Sequence, residues 1–374
     1  MTDILHGDCV DLLCSIPNNS IGSIVTDPPY ELGFMGRKWD STGIAYNVEM
    51  WKQCLRVLKP GGHLLAFGGT RTYHRMACAI EDAGFEVRDT ICWIYGSGFP
   101  KSLNIGKAID KLQGNEREVL PNPKAKQQTA AKGGIYGDYE ATTHISVGTS
   151  PFEGYGTALK PAMEPITVAR KPLTGTVAQN VLEWGVGGLN IDGCRVETEE
   201  KISTGNGKIS TTNCYGKYEV REKEFVNTQG RFPANVIHDG SDEVVALFPY
   251  STSGEMNCVS QGKNYGIYGK YNPTQAVSSK SSGSAARFFY VAKASPSERG
   301  ETNNHPTVKP VELMRYLIRL VTPPGETVLD PFGGSGTTAI AAIIENRPCI
   351  IIEKEAEHIE IIKHRVSHQQ PTLL

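Results

Sequence analysis

The sequence contains no run of about 18 apolar residues, so no membrane-spanning helix is expected. Its nine cysteines include no Cys-x-x-Cys pair. An odd, scattered set argues for a reducing cytoplasm, and against a disulfide framework or a cysteine-based zinc site. The opening residues MTDILHGDCVDLL lack a basic segment followed by an apolar stretch, so a secretory leader is not expected either. There is no Gly-x-x-x-x-Gly-Lys-Ser/Thr sequence, which excludes a P-loop. His364 and His368 stand four residues apart with no third ligand in evidence, so no metal is expected. Nor is there charge of one dominant sign. The formal net charge is -2 and the pI about 6.5, so the chain as a whole is not an obvious polyanion binder.

What is present is an ordinary balance for a folded protein. Of 374 residues, 39% are hydrophobic and 21% charged, with a mean hydropathy of -0.30. That length allows two domains, or one large domain carrying an insertion. Residues 1–100 alternate strand and helix signals. Ile21–Thr26 is a β-branched run and reads as a buried strand. Val48–Leu58 has helical spacing and stops at Lys59-Pro60-Gly61-Gly62. His63–Phe67 reads as strand, Tyr73–Ala83 as helix and Phe85–Tyr95 as strand. The same texture returns in 301–374: helix at Val311–Val321 behind Pro310, strand at Thr327–Leu329, loop at Gly333–Gly336, helix at Thr337–Ile344, strand from Cys349 to Glu353 and helix at Ala356–Val366. Alternation of this kind specifies an α/β fold with a mostly parallel sheet.

Residues 101–300 differ. Gly, Ser, Thr, Asn, Tyr and Lys dominate and periodicity is weak, which predicts an inserted, irregular region. From Met256 to Ser297 there are five basic residues, Lys263, Lys270, Lys280, Arg287 and Lys293, and no acidic ones. Tyrosines and phenylalanines are interleaved with them, a mixture suited to phosphate contacts and base stacking, and equally to a solvated loop followed by a core strand at Ala286–Val291.

Two short segments carry chemistry. Asp27-Pro28-Pro29-Tyr30 follows the Ile21–Thr26 strand. Residues before proline are extended, and proline has no N–H to continue a ladder, so a stiff arm leaves the sheet at a strand's carboxyl end. The arm offers the Asp27 carboxylate, the Pro28 carbonyl and the flat Tyr30 ring. Two acceptors beside a ring match an exocyclic amino group on a nucleobase; they also match a Pro-Pro turn capped by Asp. The second segment is Asp330-Pro331-Phe332-Gly333-Gly334-Ser335-Gly336-Thr337-Thr338, between a strand and a helix. Its glycines allow close backbone approach to a ligand at a helix N-terminus. The next strand ends at Glu353, where an acidic residue about 20 positions on would meet ribose hydroxyls. Between the two segments, Glu31–Asp40 (ELGFMGRKWD) reads as a closing loop, with Arg37 and Lys38 as phosphate contacts or solvated charges.

These motifs together resemble the amino-directed, S-adenosylmethionine-dependent DNA methyltransferases, which modify adenine N6 or cytosine N4. TDPPY at 26–30 resembles their catalytic motif, DPFGGSGTT at 330–338 their cofactor motif, and HPTVKP at 305–310 the segment preceding it. The order, catalytic motif before cofactor motif with a long region between, resembles the permuted beta class. KPAMEPITVARKPL at 160–173 and GGLNIDGCRV at 187–196 are similar to stand-alone phage and prophage enzymes. The resemblance implies a Rossmann-like methyltransferase sheet and S-adenosylmethionine as cofactor. It assigns Asp27, Pro28, Pro29 and Tyr30 to the target base. Asp8, Thr307, Lys309, Asp330, Phe332, Gly334, Ser335, Gly336, Thr337 and Glu353 are assigned to the cofactor. Arg37, Lys38, Lys263, Lys270, Lys280 and Arg287 become the candidate contacts to double-stranded DNA. His358 stands where the family often has Tyr. Asp at the first motif position favours adenine; cytosine N4 is the alternative, with an RNA methyltransferase or a catalytically inactive DNA-binding decoy behind it. The family also implies dimerisation. The expected organisation is a catalytic domain from 1–100 and 301–374 around a target-recognition insertion at 101–300.

Overall fold

The computed structural model describes residues 2–33, 38–98, 100, 102–122, 143–198, 230–253, 281–292 and 308–369, with short strand pieces at 131–134, 137–139, 212–213, 216–217, 256–259 and 275–278. A nine-stranded sheet forms the frame. Its strands are β1 (Thr2–His6), β2 (Ile21–Thr26), β3 (Leu58–Phe67), β4 (Glu86–Ile94), β5 (Met163–Arg170), β6 (Val236–His238), β7 (Tyr290–Val291), β8 (Val328–Asp330) and β9 (Cys349–Glu353). They lie in the order β1-β9-β8-β2-β3-β5-β4-β6-β7. All pairings are parallel except those of β5, which runs antiparallel to both β3 and β4.

Successive strand residues face opposite sides, so each central strand feeds two cores. Ile24, Leu64 and Ala66 pack with α1 (Cys9–Leu13), α2 (Val48–Val57) and α3 (Tyr73–Asp82). Val25, Leu65 and Phe67 pack with α6 (Val311–Val321), α7 (Thr337–Ile344) and α8 (Ala356–Ser367). Between these groups, α4 (Ile105–Gln113) and α5 (Val177–Trp184) belong to the middle of the chain. The apolar spacing of VELMRYLIRLV buries Leu313, Met314, Tyr316, Leu317 and Ile318 along α6. Among the described residues, no helix is long and apolar enough to cross a membrane.

The α/β alternation expected from the sequence matches these elements closely, and three expectations need correction. The first concerns 101–300, which is not one insertion. Residues 163–170 form β5 in the middle of the sheet, and β6 and β7 extend its edge. Ile166, Val168 and Ala169 are buried there; a single eight-residue strand amid Gly- and Ser-rich chain leaves little periodic signal. Next, the segment Ala286–Val291, for which a core strand was one of two readings, begins as a 3-10 turn, Ala285–Phe288, before the two-residue β7. Ser284 Oγ caps that turn by accepting from the Ala286 amide. Finally, β3 does not begin after Lys59-Pro60-Gly61-Gly62 but runs through it, by means of a bulge against β2. Gly61 takes φ +78° there, and the buried Asn180 side chain donates to the Pro60 and Val186 carbonyls. A Cβ on Gly61 would stand 2.3 Å from Asn180 Nδ2, so glycine is required at this position.

Candidate active site

Parallel strands bring their carboxyl ends to one edge, so Asp8 after β1, Asp27 after β2, Asp330 ending β8 and Glu353 ending β9 all meet there. The antiparallel β5 delivers its beginning to the same edge. Glu164 pairs with Trp93, two residues along β5 from the Ile166 partner of Phe67 at the end of β3. A cleft of about 1530 Å³ opens along this edge. Its walls include Asp8, Asp27, Pro28, Pro29, Tyr30, Lys309, Asp330, Phe332, Gly334, Ser335, Thr337 and Glu353. Sequence segments more than three hundred residues apart are thus brought to one cavity.

On the side of the proline arm, Lys309 is buried and its ammonium lies 2.6 Å from Asp27 Oδ2 and 3.3 Å from Glu164 Oε2. Burial opposes the charge on Lys309, but the two carboxylates outweigh it and hold the ammonium above its ordinary range. The same ammonium stands 5.2 Å from the centre of the Tyr30 ring and 5.0 Å from that of Phe67. Tyr30 donates its hydroxyl to Glu164 Oε2 at 2.8 Å, and Tyr95 donates to Glu164 Oε1 at 3.4 Å. Burial, with Asp27 and Glu164 nearby, pushes the Tyr30 hydroxyl well above its usual range, so it acts as a neutral donor. Thr72 Oγ1 donates to the Tyr30 carbonyl at 2.7 Å and pins the arm to the start of α3. Asp27 Oδ1 is buried and has no hydrogen-bond partner among the described residues. A buried carboxylate oxygen lacking a donor costs free energy, and a bound donor would satisfy it.

The glycine-loop side is built from amides and hydroxyls. Glu353 Oε2 accepts from the Gly334 amide at 2.7 Å, and Oε1 from the Glu355 amide at 2.8 Å. His358 Nδ1 lies 3.5 Å from Glu353 Oε1. Burial opposes ionisation of Glu353, yet its bonds to His358 and the two amides hold the carboxyl below its usual range. Asp8 caps α1, accepting from the Val10 amide at 3.0 Å, and pairs with Lys354 at 2.9 Å. Asp330 is buried, and its oxygens accept from Thr26 Oγ1 at 2.6 Å, Thr338 Oγ1 at 2.5 Å and the Phe332 amide at 3.0 Å. Burial nevertheless pushes its carboxyl up to about 7. Ser335 and Thr337 are tied to α8 through Arg365. Gly334 and Gly336 take φ of +52° and +80°, which lets the loop turn tightly into α7.

Against the sequence reading, two placements stand out. Lys309, expected beside the cofactor, has its ammonium on Asp27, at the base-facing arm. Asp330, expected as a ligand contact, latches the ends of β2 and β8 to α7 through its three donors. Arg287 spends its guanidinium on Gly283 O, Ser284 O, Ser251 Oγ and Ser281 Oγ, fastening its own segment. Arg37, Lys263, Lys270, Lys280 and Thr307 lie outside the described residues, and Lys38 falls in the turn Lys38–Ser41. Glu164 and Tyr95 were not singled out from the sequence. The usable signal was an acidic residue before Pro165 at the start of a β-branched run.

A family model described as DNA methylase, covering N6 and N4 methyltransferases, matches residues 21–172 and 210–364, most of the chain. Among curated relatives, the chain is 44% identical over 69 residues to Type II methyltransferase M2.MboI of Moraxella bovis, covering 18% of this chain and 25% of that protein. It is 46% identical over 71 residues to Type II methyltransferase M.BglI of Bacillus subtilis, covering 19% and 20%. These matches therefore span a quarter or less of each relative's length. Among solved structures, the M1.HpyAVI complex with SAM aligns over 98% of this chain and 99% of that one, at 18% identity and a TM-score of 0.43.

Proposed function

Since this chain belongs to the DNA methylase family of N6 and N4 methyltransferases, matched over residues 21–172 and 210–364, we propose that it transfers a methyl group from S-adenosylmethionine to the N6 amino group of adenine in double-stranded DNA. The observation that carries the reading is Asp27 Oδ1, a buried acceptor without a donor among the described residues, opening into the same cleft as the glycine loop and Glu353.

A base amino group inside a duplex is out of reach, so the target nucleotide has to be rotated out of the stack into the cleft. There Asp27 Oδ1 accepts one amino hydrogen, and the Pro28 carbonyl is the candidate for the other. Accepting both N–H bonds raises electron density on nitrogen and orients its lone pair. Tyr30 stacks on the base, a contact worth about 1–3 kcal/mol. Lys309 holds the Asp27 carboxylate in place through Oδ2. Across the cleft, Glu353 is the candidate acceptor for ribose hydroxyls, and the Gly334–Gly336 loop allows close approach. The residues fit the cofactor in chemical character: a fixed carboxylate at a strand end beside a tight glycine-containing loop that carries hydroxyls and the Phe332 ring. When bound, it supplies a methyl group on a sulfonium sulfur, whose C–S bond breaks as the N–C bond forms. Catalysis is then mainly positioning and electrostatics. The product amine is acidic enough to lose its extra proton to water.

Adenine is favoured over cytosine by the Asp at the head of the arm, through the resemblance described above. The test is incubation of the purified chain with duplex DNA and labelled S-adenosylmethionine, followed by mass spectrometry of the digested nucleosides. N6-methyladenine is expected. N4-methylcytosine would keep the mechanism and overturn the choice of base, and absence of both would overturn the reading.

A further inference from the structure

We propose that Glu164 is a positioning residue of this site: it divides the Lys309 ammonium with Asp27, so that the Asp27 carboxylate retains an unmatched negative charge and one open oxygen toward the target amino group. The inference rests on the methyl-transfer reading above.

Three observations carry it. The placement is specific, because β5 is the one strand of the nine-stranded sheet that is antiparallel to both neighbours, and this orientation is what brings its second residue to the cleft. The geometry is shared. Lys309 Nζ reaches Asp27 Oδ2 at 2.6 Å and Glu164 Oε2 at 3.3 Å, while Glu164 also accepts from Tyr30 at 2.8 Å. One carboxylate thus touches both groups that shape the surroundings of Asp27.

The charge count is the third. Asp27 and Glu164 carry formal charges of -1 each and Lys309 one of +1, so the trio sums to -1 around a buried ammonium, with both carboxylates partly shielded from solvent. Tyr30 and Tyr95, the other titratable groups on Glu164, are neutral donors. Without Glu164, a single ammonium would cancel Asp27. Methyl transfer places positive charge on the base nitrogen, and a neutral Lys309–Asp27 pair would stabilise that charge poorly at low local dielectric. Lys309 paired with Asp27 alone would also be drawn fully onto it.

The test compares Glu164→Gln with the double variant Glu164→Gln/Lys309→Met, on duplex DNA carrying the site methylated by the wild type. Gln keeps the shape of Glu164 and still accepts from Tyr30. Glu164→Gln makes the trio neutral; the double variant restores -1, and Met fills the space between the Tyr30 and Phe67 rings. Single-turnover methylation by Glu164→Gln is expected to fall about 30-fold or more, within the range for loss of one electrostatic contact, with the dissociation constant for S-adenosylmethionine within about threefold. The double variant is expected to be at least about fivefold faster than Glu164→Gln, a coupling that loss of structure alone would not produce. A Glu164→Gln rate within threefold of wild type, or a double variant no faster than the single, overturns the proposal. Should thermal melting show Glu164→Gln unfolded, Glu164→Asp is measured instead: retention of at least about a third of the rate supports a charge role, and a 30-fold loss overturns it. Absence of transfer by the wild type overturns the parent reading and this one together; transfer by the wild type with an unaffected Glu164→Gln overturns this one alone.

Discussion

The glycine-loop side of the cleft is fastened mostly by near neighbours, and the proline-arm side by strangers in sequence. Glu353 takes its amides from Gly334, 19 residues away, and from Glu355, two residues away. Asp330 takes donors from two and eight residues on, with Thr26 as the long-range exception. Across the cleft, Tyr30 meets Glu164 over 134 residues, and Lys309 meets Asp27 over 282. One side is a rigid receptacle of backbone donors. The other is a set of side chains from distant segments, the charged Asp27, Glu164 and Lys309 with the neutral Tyr30, which hold one another. Changes on the first side should therefore disturb binding, and changes on the second should disturb chemistry.

The sharpest way to break that division is Asp27→Ala. Transfer of labelled methyl to DNA in a single turnover is expected to fall by about a thousandfold or more, while calorimetric affinity for S-adenosylmethionine stays within about threefold. An equal loss in both would erase the distinction. Glu353→Ala is the mirror experiment. It strips the Gly334 and Glu355 amides of their acceptor, and cofactor affinity is expected to weaken by about 30-fold, or roughly 2 kcal/mol, with a much smaller loss of rate at saturating cofactor. Tyr30→Phe keeps the ring and removes only the bond to Glu164. About a tenfold loss of rate is expected, with cofactor affinity unchanged, since a hydrogen bond to a charged acceptor contributes about 1.5 kcal/mol.

A separate effect concerns stability. The folded Asp330 carboxyl is raised to about 7, above an unfolded value near 4, so the native state binds this proton more tightly. Its contribution favours folding at low pH and is lost as pH rises from about 4 to about 7, with a slope of at most about 1.4 kcal/mol per pH unit. Urea melts of wild type and Asp330→Asn across pH 5–8 should show the variant with the flatter profile. Parallel profiles would mean that the three donors, not burial, set the state of this carboxyl.

The same division explains what could be read from the sequence. DPFGGSGTT and Glu353 form a contiguous strand, loop, helix and strand, so local pattern alone located them. The arm at Asp27–Tyr30 was legible as a stiff exit from a buried strand, because proline cannot continue a ladder; its role came from the pairing with the glycine motif in that order. Its partners were not legible. Glu164 stands on a strand embedded in weakly periodic chain, and its antiparallel direction follows from sheet order, which no local pattern encodes. The contact of Lys309 with Asp27 is likewise invisible locally, because adjacency in sequence to the glycine loop says nothing about which carboxylate a long side chain reaches. Arg287 looked like a free cation until its own turn claimed it.

The wide sequence separation of the Asp27–Lys309 pair also governs when the protein can act. A ribosome adds about 5–20 residues per second. The 282 residues between Asp27 and Lys309 then take roughly 14–56 s to synthesise, and the Asp330 and Glu353 strands follow later still. Throughout that interval a nascent chain exposes the proline arm without the lysine, the glycine loop or the neighbouring strand β8 beside it. A product that ends before residue 309 would thus carry the arm without Lys309, the glycine loop or Glu353, and on the methyl-transfer reading proposed above it would be inactive.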